Sequence, residues 1–314
     1  MQNQYSQNLT NFCYNPRHKT QQSKHLTKPR SKMSKLAQPK RMLLHEYLWF
    51  ILLGIIATRL VYSSHTGTSL SFILALMLLV LLNTRITAFV VRFGFYIVLM
   101  NVLFVSLRDI SPLINPQGKV DSLLYGLDTW LCGEYLGKSL FSYSHSHLSL
   151  LLDDFFSFFY LLFLFELLYF FIYYLLYKPS AKFFIGIMSV YAIGFLGYIF
   201  LPAIGPYAFL QDELIAPQGY FFYPLLAEHY TLGSNLTDVF PSLHCGISLF
   251  ILLYNFAFSR TQFRIWLLPS VFLWISTIYL HYHYAIDCLA GFALAIICIL
   301  PFYLSTHLNT RRRK

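Results

Sequence analysis

Charged residues are scarce in this chain. Only 11% of its 314 residues are Asp, Glu, Lys or Arg, against 57% hydrophobic, a balance that excludes an ordinary soluble globular domain. Acidic residues are missing altogether from residues 1–41. That stretch, rich in Gln, Asn, Ser and basic residues, cannot bury enough apolar surface to fold alone and reads as a disordered cytoplasmic arm. Attraction to anionic lipid and a solvated tail that only fixes topology are both open for it. Cysteines are few and lack metal-ligand spacing: Cys13, Cys132, Cys245, Cys288 and Cys298 suggest no disulfide and no redox role. No small-residue cleavage site follows the first apolar run, so a secretory signal is not expected.

The net charge of +10 would suit a nucleic-acid partner if the basic residues covered a domain surface. They sit instead at the two ends and in short loops, and no nucleic acid is expected. Between the ends run apolar segments of spanning length, near 45–63, 68–84, 87–107, 152–177, 183–202, 241–258, 263–280 and 285–305. The pattern predicts an all-α fold, a polytopic transmembrane helix bundle of about eight spans, the second short enough to be tilted or re-entrant. With the N-terminus inside, Arg85, then Lys178 and Lys182, then Arg260 and Arg264, then the basic C-terminal residues all fall on the inner side. Both termini are therefore expected to be cytoplasmic. The outer connections hold Asp109, Asp121, Asp128, Glu134, Asp212, Glu213, Glu228 and Asp238.

Two motifs stand out against this apolar background. One is FPSLHC at Phe240–Cys245; the other is STIYLHYHYAIDCLAG at Ser276–Gly291. His283 and Asp287 are four residues apart, a spacing that on a helix puts a carboxylate against an imidazole. His244 supplies a second imidazole from another segment. Polar groups of this kind are costly in a bilayer unless they pair or line a wet cavity, so they mark a site. The threading puts both motifs at the same membrane level, on the non-cytoplasmic side, and a single topology error between them would separate them.

The PSLH run and the HYxxD run of His283–Asp287 resemble the second and third signatures of the type 2 phosphatidic acid phosphatase (PAP2) superfamily. Within it the HYxxD form is similar to the inositol phosphorylceramide synthase and sphingomyelin synthase branch. Asp121–Gly133 (DSLLYGLDTWLCG) and Leu201–Tyr207 (LPAIGPY) look like further features of that inositolphosphotransferase branch. The resemblance implies a six-helix PAP2-like core. The expected division is an arm at 1–41, N-terminal membrane helices at 42–107, the catalytic membrane domain at 108–305 and a basic tail at 306–314. It also implies a phosphohistidine mechanism: His283 attacks phosphorus, Asp287 orients its ring, and His244 protonates the leaving alkoxide and then activates water or an acceptor alcohol. No metal or other cofactor is implied. The implied partners are a lipid phosphate and, for a transferase, an alcohol such as ceramide or diacylglycerol. The site would face the periplasm in a bacterium and the Golgi or reticulum lumen in a eukaryote.

The chain departs from the wider family at its first signature, since no Lys followed six residues later by Arg-Pro is present, and Thr277 stands where an arginine commonly follows Ser276. Substitutes for the phosphate grip are Ser242 with the helix start after Pro241, His281, Arg108 and Arg59. Each has a plainer reading: Ser242 as a helix cap, His281 as a residue pointing away from His283, and the two arginines as interface anchors that snorkel. His145 and His147 read as outer residues that meet headgroups or water, and Asp153 and Asp154 as the solvated start of a helix. Glu166 is costly inside a span and has no evident partner in the sequence. Two other classes stay open beside a lipid-phosphate enzyme: a metal site built from His244, His281, His283 and Asp287, and a non-enzymatic transporter whose polar residues line a path.

Overall fold

The computed structural model describes residues 37–311 apart from 116–117, 141–146 and 234–236; the expected arm lies almost wholly outside the described residues, as does His145. Within them the chain is all-helical. The helices are α1 (Leu44–Tyr62), α2 (Thr68–Asn83), α3 (Phe89–Ile114), α4 (Asp121–Cys132), α5 (Leu136–Leu140), α6 (His147–Ile172), α7 (Ala181–Phe200), α8 (Pro206–Phe209), α9 (Phe222–Gly233), α10 (Leu243–Phe258), α11 (Arg260–Tyr279) and α12 (Ala285–Arg311). A π-helical turn at Tyr173–Tyr177 extends α6. Five helices are long and apolar enough to cross a membrane: α1, α3, α6 with its π turn, α7 and α12. The apolar helices α2 and α10 are shorter, at 16 residues each. The eight apolar segments read from the sequence are thus all helical, five of them with full spanning character.

Helix α7 is the hub. It packs on α1 and α3 on one side and on α10 and α12 on the other, and most of its residues are buried. Aromatic side chains fill the space around it: Phe183 and Tyr174 stack at 4.3 Å, and Trp49 meets Phe195 edge-on at 5.8 Å. Trp49 also donates its indole N–H to the Met188 carbonyl at 3.0 Å, which satisfies a buried donor. The first helices are tied by a fully buried ion pair. Arg92 Nε and a terminal nitrogen donate to the two Glu46 oxygens at 2.7 and 2.6 Å, and Arg92 also reaches the Pro39 and Arg41 carbonyls.

The helices that bear the motifs cross at two glycines. A side chain at Gly291 of α12 would collide with the Ser242 carbonyl, and a Cβ at Gly246 of α10 would stand 3.0 Å from the Gly291 carbonyl. Only glycine permits backbones to approach this closely. The same approach lets Ser242 N–H donate to the Asp287 carbonyl at 3.0 Å. The beginnings of α10 and α12, where His244 and Asp287 sit, are therefore side by side.

Candidate active site

His244 lies in the first turn of α10, whose start is capped by the Ser242 hydroxyl accepting from Cys245 N–H at 3.4 Å. His283 is not on a helix. It sits in the turn between α11 and α12, and α12 begins at Ala285. The expected pairing with Asp287 is nevertheless present, across a helix start: His283 Nδ1 lies 3.5 Å from Asp287 Oδ2. The same oxygen accepts from Tyr284 N–H at 2.8 Å, so Asp287 also caps the helix that carries it. On the other side of the ring, His283 Nε2 lies 3.4 Å from His244 Nδ1. Asp287 of α12, His283 of the preceding turn and His244 of α10 thus stand next to one another in succession, with His283 and Asp287 buried and His244 partly so.

Burial shifts the imidazole at the centre. Loss of water lowers the His283 pKa from its ordinary 6.5 to about 4, partly opposed by the Asp238 charge and the Val239 backbone. The ring is thus neutral and holds a free lone pair at physiological pH. His244 is gripped by aromatic rings, with Tyr160 at 4.5 Å and Phe163 at 4.9 Å between centroids, and the Tyr160 hydroxyl is 3.4 Å from its Nδ1. Both histidines line a cavity of about 290 Å³. Its wall also carries the polar side chains of Tyr160, Tyr198, Tyr230, Tyr282, Asp238 and His229 and the apolar side chains of Phe104, Phe163, Leu164, Leu167 and Phe195.

The other sequence candidates are placed differently. His281 is buried in the turn, with a left-handed backbone (φ 60°). Its Nδ1 is 3.0 Å from the Tyr135 hydroxyl and its carbonyl accepts from Tyr207 N–H at 2.7 Å. It does not line the cavity, and the four-residue metal set does not assemble: among the described residues no group of three or more His, Cys, Asp or Glu could hold a metal ion. Ser242 is fully buried as the α10 cap and also lies off the cavity wall. Arg108 is exposed on α3, one turn beyond the cavity residue Phe104. Arg59 binds the Asn115 side chain at 2.8 Å and lies over the Phe200 ring, an anchor at the ends of α3 and α7. His147 meets the Tyr220 hydroxyl at 2.9 Å. Glu166 is buried, and its Oε1 has no hydrogen-bond partner among the described residues.

Four carboxylates hold the frame of the site, two of them in the family-like segment Asp121–Gly133, and nothing in the sequence assigned any of them this role. Asp121 and Asp128 lie two turns apart on one face of α4. Asp121 accepts from Ile204 N–H and Gly205 N–H, at 3.0 and 2.9 Å, and lies 3.3 Å from the Tyr284 hydroxyl. Asp128 accepts from Leu136 N–H and Ile286 N–H, both at 3.2 Å, and burial raises its pKa. Together they fasten the LPAIG loop and the start of α12 to one helix. Asp153 and Asp154 are not a solvated helix start. Asp153 is buried and accepts from Gln218 N–H at 2.7 Å and the Tyr279 hydroxyl at 2.8 Å. Asp154 collects the N–H groups of Tyr220, Phe221 and Tyr223, at about 3 Å, at the start of α9. They bind the α9 segment, which carries His229, to α6. Unpaired amide N–H groups in a loop next to apolar helices are costly, which explains why acids sit there.

A family model described as PAP2 superfamily matches residues 124–300, more than half of the chain and inclusive of His244, His283 and Asp287. No curated protein and no solved structure matches the chain.

Proposed function

The chain belongs to the PAP2 superfamily, whose membership points to phosphatase or phosphotransferase chemistry, and from that premise we propose an integral-membrane enzyme that acts on a lipid phosphate or phospho-headgroup through a phosphohistidine. The observation that carries this reading is the 3.4 Å approach of His283 Nε2 to His244 Nδ1 on the wall of a cavity lined by tyrosines and by apolar side chains. A neutral His283 attacks phosphorus through Nε2, forming the N–P bond as the P–O bond to the leaving alkoxide breaks. Asp287, at Nδ1, stabilises the positive charge that the ring acquires. His244, which takes up a proton as the anionic substrate binds, gives it to the departing oxygen and becomes neutral, then takes one from water or from an acceptor alcohol, whose oxygen displaces the phosphoryl group from His283. Admitting the phosphoryl group requires the two rings to separate. The apolar wall suits a hydrocarbon tail.

The resemblance of HYxxD to the inositol phosphorylceramide synthase branch favours transfer to an alcohol such as ceramide or diacylglycerol. Loop charge favours a site on the non-cytoplasmic face, with both termini cytoplasmic. The test incubates the purified protein with radiolabelled phosphatidic acid and phosphatidylinositol, with and without ceramide or diacylglycerol, and separates the lipids by thin-layer chromatography. Release of inorganic phosphate marks a phosphatase and a new phospholipid a transferase. His283→Ala, inserted normally in the membrane, should yield neither, and unchanged turnover in that variant would refute the mechanism.

A further inference from the structure

The cavity has to accept an anion, yet among the described residues no lysine or arginine lines it. Its carboxylate, Asp238, adds negative charge. Burial keeps His283 neutral, and His244 is enclosed by Tyr160 and Phe163. The third imidazole is different. His229 lies on α9, on the face it shares with Leu226 and Tyr230, which are three residues before it and one after it and which also line the cavity. Leu226 is buried, and Tyr230 stacks on Tyr282 at 4.8 Å, next in sequence to His283. These contacts fix how α9 meets the wall, and Asp154 fixes its start. His229 itself is exposed to water, and it is close enough to interact electrostatically with His244.

We propose that His229 binds the anionic phosphate of the substrate, in a cavity that no lysine or arginine lines among the described residues. The proposal rests on the lipid-phosphate reading above and names the group that replaces the missing first signature. It separates His229 from the two histidines that do the bond making and breaking: His229 recognises charge and takes no part in transfer. The Arg108 side chain, one turn beyond Phe104, is the competing cation and serves as the control.

The test measures binding rather than turnover. Dihexyl phosphate carries one negative charge and lacks the second ionisation that phosphomonoesters show near about pH 6; trihexyl phosphate has a similar shape and no charge. Affinities of both for the full chain in a neutral detergent are compared by intrinsic fluorescence. The wild type should favour the anion by about tenfold, the worth of a charge-assisted hydrogen bond. His229→Ala and His229→Gln should bring the two affinities together, His229→Arg should keep the preference, and Arg108→Ala should leave it intact. A His residue that merely packed would not be replaced by arginine in this way. Retention of the preference in both His229→Ala and His229→Gln, its loss in Arg108→Ala, or its absence from the wild type overturns the proposal while leaving the enzymatic reading in place. A wild type that binds neither ligand overturns both.

Discussion

Asp287 serves two purposes, and substitution can part them. Its Oδ2 accepts from Tyr284 N–H and faces His283 Nδ1. Asn at this position keeps an oxygen for the cap but cannot become an anion facing His283, whereas Ala loses both functions. Asp287→Asn should therefore hold most of its thermal stability and still lose activity by about 10²-fold or more, while Asp287→Ala loses about 1 kcal/mol of capping in addition. Thermal denaturation in detergent beside kcat separates the two effects, and equal stability loss in both variants would contradict the capping role. His283 gives a second expectation. Because burial lowers its folded pKa to about 4, from about 6.5 in the unfolded chain, the neutral form is the one the fold favours. Its contribution to stability is complete above about pH 6.5 and is lost as pH falls through the folded value, since the unfolded chain takes up a proton that the folded one refuses. The nucleophile likewise stays competent below the usual histidine range. The kcat/KM profile should show no loss assignable to His283 between about pH 7 and pH 5, and inactivation following a pKa near 6.5 that persists in His229→Gln and Asp238→Asn would contradict it.

At the scale of elements, the crossing of α10 and α12 decides whether the site exists. Gly246 and Gly291 allow the backbone contact that brings His244 beside His283 and Asp287, and the obstacle at Gly291 is the Ser242 carbonyl rather than a flexible side chain. Gly291→Ala has to spread the two helices. It should cost about 1–3 kcal/mol as an overpacked contact and reduce turnover more steeply than it reduces stability, because His244 moves with its helix. Turnover preserved at full rate in Gly291→Ala would show that the crossing does not set the ring-to-ring distance. The sequence pattern foretold the helices, since each apolar run of spanning length is one. It did not foretell the clamps. Asp121 and Asp128 read as acids of an outer connection and Asp153 and Asp154 as a solvated helix start, because single-residue chemistry gives no sign of which backbone N–H groups lie opposite, some of them about 80 or 160 residues away.

For the whole molecule, composition made the membrane class and the all-helical bundle legible, and the two motifs with loop charge made the histidine pair legible before any coordinates. The cavity was not. Tyr160, Tyr198 and His229 come from three separate helices, and in a chain with 19% aromatic residues no local pattern distinguishes a Tyr facing a site from one packed in a core. His283 was expected on a helix and lies in the turn before one, because the i, i+4 spacing is satisfied equally well across a helix start. The proposed function then reduces to one chemical statement: His244 and His283 flank a single phosphorus, and His283 bonds to it. The direct measurement is rapid quenching during turnover of ³²P-labelled lipid, under alkaline conditions that preserve phosphohistidine, followed by peptide mapping. The account predicts label on His283 that is acid-labile, absent in His283→Ala and accumulating in His244→Ala if the second step becomes the slower one. Turnover with no covalent label, or with label on a different residue, would contradict it.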